Sequence, residues 1–593
     1  MVMDKKGWIG FGICLVLLLV WQIYVEYHYV RNQPSQSEQS PSSLPQSSAS
    51  EELSTNAPVP KDHEESPVLS PLESFEKSPA LGKETLSYLE NDKIRVALTS
   101  WGGAIQNIEL KEHFFRTPKG RENILLNRFD EEPLLNLSGW DGKYHLSGYQ
   151  SETKEGKVIF KRDLSGGVNL ERVFSLGQDY QIIMEQRLVN RSSAPVSLPA
   201  SRLNIGLASP IHAKDAIQNI AANWLTLKGA RFGRIGLPDF NPAGFLGLFY
   251  WRGPRTVITS PTESLRWAAV KNQYFTIVVI PPSSLPPFQI EAIPVELSQF
   301  PSEQEGQNRI PVGLKAWARF SELSLEPNSI LSVQFKVYSG PKEYARLHKL
   351  GDHIDKVMEY GMWGWVVKPL VWCMVHFHSF VPNYGLDIIL FTLLLKGIFW
   401  PLQSSANRNM KAMQALSPKL KELQARYKDQ PDKMQAEMMK LYREYGVNPL
   451  GGCLPMLVQV PIFIGFYTML QGSVELRNQS FLWIKDLTQP DTVYHLPMLN
   501  LDINPLPLIM VGTQILLSRM TPQASDNPQL KVFQWMPVFF LVFFYNFASA
   551  LSLYWTVNNL VTIVQTYRNL KKPLPVLHRV KKHKASHKIS LLK

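Results

Sequence analysis

Cysteine is scarce: Cys14, Cys373 and Cys453 are the only three in 593 residues, and none lies between 26 and 372. A disulfide framework is thereby excluded from the large middle of the chain, as suits a bacterial periplasm among other compartments. Catalytic signatures are missing too. There is no Walker loop, no dinucleotide glycine pattern, no HExxH, no nucleophile elbow and no cysteine–histidine zinc spacing. His578, His583 and His587 sit among lysines and read as part of a basic tail rather than as metal ligands. The chain is expected to be no enzyme and to use no cofactor, metal or small-molecule substrate.

What it has are long apolar runs, hidden behind an ordinary hydrophobic fraction of 45%. Trp8–Val25 follows Lys5 and Lys6, can span a bilayer, and has Trp21, Tyr24, Tyr27 and Tyr29 toward its far end with no small-residue cleavage pattern. Residues 1–31 thus read as an uncleaved signal anchor with its tyrosines at the outer interface. Five more helical spans are predicted near 383–404, 449–471, 505–520, 532–547 and 549–568. The third and fourth of these are short, which implies a thinned membrane or a protein-shielded position. Six spans put both ends on one side. Nine Lys and Arg in 404–446 and nine in 568–593 face an acidic-leaning loop, 472–504, so both termini are expected in the cytoplasm.

Between these runs the composition changes repeatedly. Residues 32–83, rich in Ser, Pro, Gln and Glu, cannot bury enough apolar surface to fold and read as a disordered periplasmic linker. From 84 to 341 come short alternating runs, Lys157–Arg162, Val168–Phe174, Tyr180–Leu188 and Ser332–Tyr338 among them, which predict one periplasmic all-β sandwich. In 342–380, Tyr344, Leu347, Leu350, Ile354, Val357 and Met358 recur at helical spacing ahead of Trp363, Trp365, Trp372 and Phe377. This fits an amphipathic helix in the outer interface, although its first half suits packing against the sandwich equally well. Within the helical core 381–570, residues 404–446 predict a cytoplasmic hairpin turning at Lys428–Asp432, with Pro431 at a first helical position. Its Met410, Met413, Met434, Met438 and Met439 either close the hairpin or present an adaptable surface. The basic tail is 571–593. The fold class is a multi-span α-helical membrane protein with a large periplasmic β-sandwich.

One residue breaks the pattern. Lys396 interrupts the run Ile388–Trp400, and a charge near mid-bilayer costs roughly 2.5–3.5 kcal/mol on insertion scales, so it should face protein or water. Its stem also permits snorkelling toward a cytoplasmic helix end about 12 Å away. Thr392, four residues earlier, shares its helix face. The other spans carry Gln403, Gln459, Thr513, Gln514, Asn558, Asn559, Thr562 and Gln565. Each is costly in lipid unless satisfied, by a neighbouring helix or by a shared wet cavity, and Lys396 favours the cavity.

The stretches Asn448–Phe463 and Gly472–Arg477, continued by Met536–Phe539, Leu553–Trp555 and Val557–Ile563, closely resemble the YidC/Oxa/Alb family of membrane protein insertases. The resemblance covers the five later spans and the hairpin, and by layout the anchor and β domain of the Gram-negative arrangement in the inner membrane. It implies a five-helix core around a hydrophilic groove, open to cytoplasm and lipid and closed to the periplasm, with Lys396 where the family commonly has arginine. A lysine keeps the charge and loses the planar fork. Trp555 stands where the family often has tyrosine, keeping a donor and losing an acceptor. A client-holding groove is expected from Lys396, Thr392, Gln459, Gln514, Tyr554, Trp555, Asn558 and Asn559. A surface along which clients slide into lipid is expected from Leu454, Met456, Val460, Ile462, Phe466, Phe539, Phe540 and Phe543. Arg408, Lys411, Lys419, Lys581, Lys582 and Lys584 would meet ribosomes or targeting factors, or anionic lipid in the case of the tail. Nascent membrane proteins and the Sec translocase channel are the implied partners.

Two other readings predict different features. A solute or ion transporter using Lys396 as a counter-charge calls for inverted repeats and paired broken helices, and no duplication between halves is visible. A sugar-binding β domain calls for a paired-carboxylate pocket, since fold analogy alone carries no function.

Overall fold

The alternating runs become strands because one side of each is buried: in Val168–Leu176, residues Val168, Leu170, Arg172 and Phe174 point inward while their neighbours do not. A computed structural model describes residues 83–117, 120–140, 146–211, 215, 217–241, 243–245, 249–297, 312–427, 430–448, 454–496, 501–520, 536–576 and 579. The expected anchor at 1–31, all but the last residue of the linker and most of the tail lie outside them. The four runs read from the sequence are neighbours in one antiparallel nine-stranded sheet, in the order Ile330–Pro341, Gln181–Asn190, Val168–Leu176, Lys157–Asp163. A five-stranded sheet centred on Val312–Phe320 and Ser201–Ala208 packs against it around a shared core that includes Phe174, Met184, Ile277, Ile290 and Leu314. The result is a β-sandwich, with a further four-stranded sheet over Leu86–Leu126.

Arg172 is wholly buried and carries no carboxylate partner among the described residues. Its guanidinium instead donates to the carbonyls of Gly102, Gly103 and Leu135 at 3.2, 2.9 and 2.6 Å and to Gln186 Oε1 at 3.2 Å. It thereby ties the four-stranded sheet to the nine-stranded one, since Gly102 and Gly103 form the turn that leads into the strand Ala104–Thr117. A buried donor cluster left unmet would cost more than these bonds return.

Nine helices follow among the described residues: α1 (Tyr344–Lys349), α2 (Gly364–Phe380), α3 (Tyr384–Ile398), α4 (Trp400–Arg426), α5 (Pro431–Glu444), α6 (Leu454–Gly472), α7 (Pro505–Met520), α8 (Met536–Phe544) and α9 (Ser549–Leu570). The segment 342–380 is not one helix. It breaks into α1, two 3-10 turns and α2, with residues in left-handed conformation at Asp352, His353 and Glu359. Leu347, Ile354 and Val357 join the sandwich core, whereas Val367, Leu370 and Met374 of α2 join the helical core. The first half therefore belongs to the β domain and the second to the helices.

The predicted span 383–404 also departs from expectation. Asn383 caps α3 by accepting from the amides of Gly385 and Leu386, but the helix ends at Ile398 and the chain turns 61° into α4. Pro401 sits in the first turn of α4, where its missing N–H costs nothing. No single described helix is long and apolar enough to cross a membrane; the bent pair α3–α4 passes by length and composition. Pro431 opens α5, and Leu416, Leu420, Tyr442 and Val447 pack it against α4, joined by Met413 and Met438.

The junction of sandwich and helices is held by Glu359, which accepts from Lys271 Nζ at 2.7 Å, Arg234 Nε at 3.1 Å and Asn223 Nδ2 at 2.7 Å. Burial alone would raise its carboxyl, but Lys271 and Arg234 outweigh burial and hold it at about 2, below the ordinary 4.5. The clamp is thus complete above pH 4.5 and fades only as pH falls toward 2. Glu359→Gln leaves Lys271 buried without a counter-charge and is expected to cost about 3 kcal/mol, read as a lower denaturation midpoint of the detergent-solubilised chain at pH 7.

Candidate functional site

Lys396 lies in the last turn of α3, half-buried, and its ammonium donates to Thr562 Oγ1 of α9 at 2.8 Å. Thr562 in turn donates to the Asn558 carbonyl one turn back, at 2.7 Å. Gln459 of α6 donates to Tyr554 OH at 2.6 Å and to Asn558 Oδ1 at 3.3 Å. Three helices thus contribute to one polar seam because Tyr554, Asn558 and Thr562 recur at four-residue spacing along a single face of α9. Beside the seam is a cavity of about 30 Å³ lined by Thr392, Leu395, Lys396, Gln403, Gln459, Ile462, Tyr554 and Asn558, among others. That volume admits one or two waters, with enough polar partners to hold them.

Five of the eight expected groove residues are brought together here: Lys396, Thr392, Gln459, Tyr554 and Asn558. The other three are not. Asn559, one residue and about 100° around α9 from Asn558, is buried and donates to Thr513 Oγ1 at 3.2 Å and the Met510 carbonyl at 3.5 Å, both on α7. Trp555 donates to Gln514 of α7 at 3.3 Å and sits among Phe463, Phe540 and Phe544. These side chains fasten α7 to α9 and are corrected from groove to helix packing. Thr562, which only the polar count had singled out, is the residue that holds Lys396.

The expected sliding surface divides as well. Val460 is 47% exposed and Phe539 41%. Phe466 is wholly buried, stacked on Phe391 at 5.7 Å and against Tyr554 at 4.5 Å, and so is corrected to the interior. The side chains of Leu454, Met456 and Phe543 lie outside the described residues. Of the expected cytoplasmic cations, Arg408 is exposed, and Lys419 is exposed while donating to Tyr445 OH. Lys411 is a correction: it is buried and donates to the Lys572 carbonyl. Lys581, Lys582 and Lys584 lie outside the described residues.

The loop after α6 forms a roof over the helix starts. Ser549 and Ala550, the first amides of α9, donate to the carbonyls of Gln489 and Leu487 at 2.9 and 3.0 Å. Leu506 of α7 donates its amide to Asp491 Oδ2 at 2.7 Å, an oxygen also held by Trp483 Nε1 at 3.0 Å. Phe481 packs on the first turn of α3 so closely that a Cβ on Gly385 would overlap its ring. These caps answer the unpaired amides that every helix start leaves. The sequence marks this loop only by its acidic lean and the Gly472–Arg477 motif; its capping role is invisible there because the amides it answers carry no side-chain signature.

A paired-carboxylate cluster does exist in the sandwich. Asp130 and Glu132 are both taken up by Lys315 Nζ, at 2.6 and 3.0 Å, with Asn204 Nδ2 on Asp130 at 2.9 Å and Trp317 Nε1 on Glu132 at 2.8 Å. All of it is buried and mutually satisfied, a structural knot rather than a sugar site.

Residues 376–573 match the family described as the 60Kd inner membrane protein, and residues 88–373 match the YidC periplasmic domain. The membrane protein insertase YidC of Syntrophus aciditrophicus is 27% identical over 605 residues, covering 95% of this chain and 99% of its own length. That of Geotalea daltonii is 30% identical over 502 residues, covering 82% and 86%. A crystal structure of an active YidC insertase with its first transmembrane domain resolved aligns over 82% of this chain and 93% of its own, at 17% identity and a TM-score of 0.34.

Within the roof, Glu475 is half-buried near Tyr360, Tyr384 and Glu343. Burial pushes its carboxyl up to about 7 from the ordinary 4.5, with Glu343 adding to the rise. A raised carboxyl favours folding at low pH, and that advantage is lost as pH climbs from 4.5 to 7. Glu475→Gln is therefore expected to match wild type in thermal unfolding at pH 4.5 and to be more stable by about 2 kcal/mol above pH 7.

Proposed function

The chain belongs to the YidC family of membrane protein insertases, and on that footing we propose that the cleft beside Lys396 is where a client's polar segment is received. The membership carries the activity: this protein inserts and helps fold nascent membrane proteins at the inner membrane, has a periplasmic domain, and is not an enzyme.

The observation that supports the site is Lys396 itself, an ammonium in an apolar helix whose described partner is a neutral hydroxyl. An acidic client side chain is a better acceptor than Thr562 and takes its place, in one charge-assisted bond rather than the two that an arginine fork would make. Thr392, Gln459, Tyr554 and Asn558 offer the tail further hydrogen bonds and a hydrated half-path, which shortens the hydrocarbon it must cross. The client's apolar helix leaves past Val460 and Phe539 into lipid. Apolar burial, at about 25 cal/mol per Å², and the membrane potential acting on acidic tails drive the step without nucleotide.

The topology we propose has six spans, with the anchor at 1–31 first, the bent pair α3–α4 entering the cytoplasmic hairpin, and both termini in the cytoplasm. The exposed Trp365, Trp372 and Phe380 of α2 suit the outer membrane interface. Arg408, Lys419 and the basic tail suit ribosomes, targeting factors or anionic lipid, and the Sec translocase channel is a further partner.

Insertion of a short, acidic-tailed, single-span client into vesicles holding the protein tests the site. Lys396→Ala is expected to lower insertion roughly tenfold and Lys396→Glu further, at matched protein. Equal insertion by both variants would reduce Lys396 to a snorkelling residue, and no insertion with wild type would reopen solute transport.

A further inference from the structure

The motif Gly472–Arg477 opens on the last residue of α6, and its residues go to different bodies. Val474 is buried in the core of the sandwich and Leu476 in the core of the helices. Arg477 Nη1 and Asn478 Nδ2 then donate to a single oxygen, the carbonyl of Phe114 in the β domain, at 2.8 and 3.0 Å. The strand Ala104–Thr117 slips register between Leu110 and Phe114, so the carbonyl is presented at a bulge, and both of its lone pairs go to the roof. The Arg477 guanidinium also lies 5.7 Å over the Tyr274 ring. The same loop, a few residues on, caps α7 and α9 and presses Phe481 onto α3.

We infer that the β-sandwich is the abutment of a periplasmic seal: the grip of Arg477 and Asn478 on the Phe114 carbonyl holds the loop 473–496 down over the starts of α3, α7 and α9, closing the cleft on that side. The inference rests on the reading of the cleft as a wet path open to the cytoplasm. A path wet at both ends would pass ions down the membrane potential, so an insertase with a hydrated half-path needs a closure that stays shut while clients load. A loop bonded only to helices would move with them. A loop bolted to a sandwich whose core is a separate cluster from that of α2, α3 and α6–α9 is held from outside. Arg477 and Asn478 are positioning residues in this scheme, acting through the loop on the helices that carry Lys396, Asn558 and Thr562.

The acceptor is a neutral carbonyl, so the role needs a donor at 477 and no charge. Arg477→Met keeps the stem over Tyr274 and removes the donor, and Asn478→Gly removes the second donor while accepting the φ of 61° found there. The full chain is placed in sealed vesicles under a potassium diffusion potential. The double variant, Arg477→Met with Asn478→Gly, is expected to dissipate the potential about tenfold faster than wild type, with faster amide exchange at 487–496, as loss of both hydrogen bonds predicts. Arg477→Gln and Arg477→Lys are expected to hold the potential as wild type does. A double variant as tight as wild type, with unchanged exchange, overturns the inference, as does an Arg477→Gln variant that leaks like the double one. Client insertion without an imposed potential is measured in the same vesicles. Retained insertion with a leak marks a seal defect, whereas a leak accompanied by lost insertion is misfolding and counts against the inference. Lys396→Glu is run alongside: if it inserts clients as well as wild type, the reading of the cleft fails, whatever the double variant's potential does.

Discussion

An ammonium cannot be left facing hydrocarbon, and the helical region is arranged around that constraint. Lys396 reaches α9 rather than lipid, so the last turn of α3 is joined to the middle of α9 by one hydrogen bond to Thr562. Two residues later α3 stops and the chain bends 61° into α4. The bend places the α4–α5 hairpin after the charged residue instead of carrying the helix straight on. The cavity beside Lys396 exists because polar side chains from α6 and α9 approach the same point without filling it.

Polar residues of the helical region fall into two sets with different physics. Gln459, Tyr554, Asn558 and Thr562 form a seam that borders a space, where their hydrogen bonds can be exchanged for those of water. Asn559, Thr513, Trp555 and Gln514 are spent between α7 and α9, where they replace hydrocarbon contacts with fixed bonds. The adjacent residues Asn558 and Asn559 belong to different sets. A single step along a helix turns a side chain by about 100°, from the seam toward a neighbouring helix.

The side that meets the β-sandwich follows a different rule. Helix starts leave amides unpaired, and here one loop answers two of them while sharing its own hydrophobic residues between two cores. Val474 and Leu476 are separated by one residue and buried in different bodies. Glu359 makes the second junction with an ion cluster rather than with apolar contact. The β-sandwich and the helices are therefore coupled through side chains whose partners are far apart in the chain.

Much of this architecture was legible in the sequence. Strand alternation and helical periodicity are set by near neighbours, so the four adjacent strands, Pro431 at the head of α5, the limits of α7 and the misplaced charge at Lys396 could all be read directly, and the motif runs pointed to the insertase family. Five of the eight expected groove residues line one cavity, and the pairs Thr392–Lys396 and Tyr554–Asn558 among them share a helix face by local spacing alone. The rest was not legible. Whether Asn559 or Trp555 meets a cavity or a helix depends on how α9 is rotated against α7, and whether Phe466 or Lys411 is exposed depends on what packs over it. The break of 342–380 and the end of α3 at Ile398 likewise came from tertiary contacts. Local periodicity determined the elements and the residue types that had to be satisfied; only the packing of helix on helix and loop on sandwich decided which partner satisfied each one, because those partners lie up to 364 residues away along the chain.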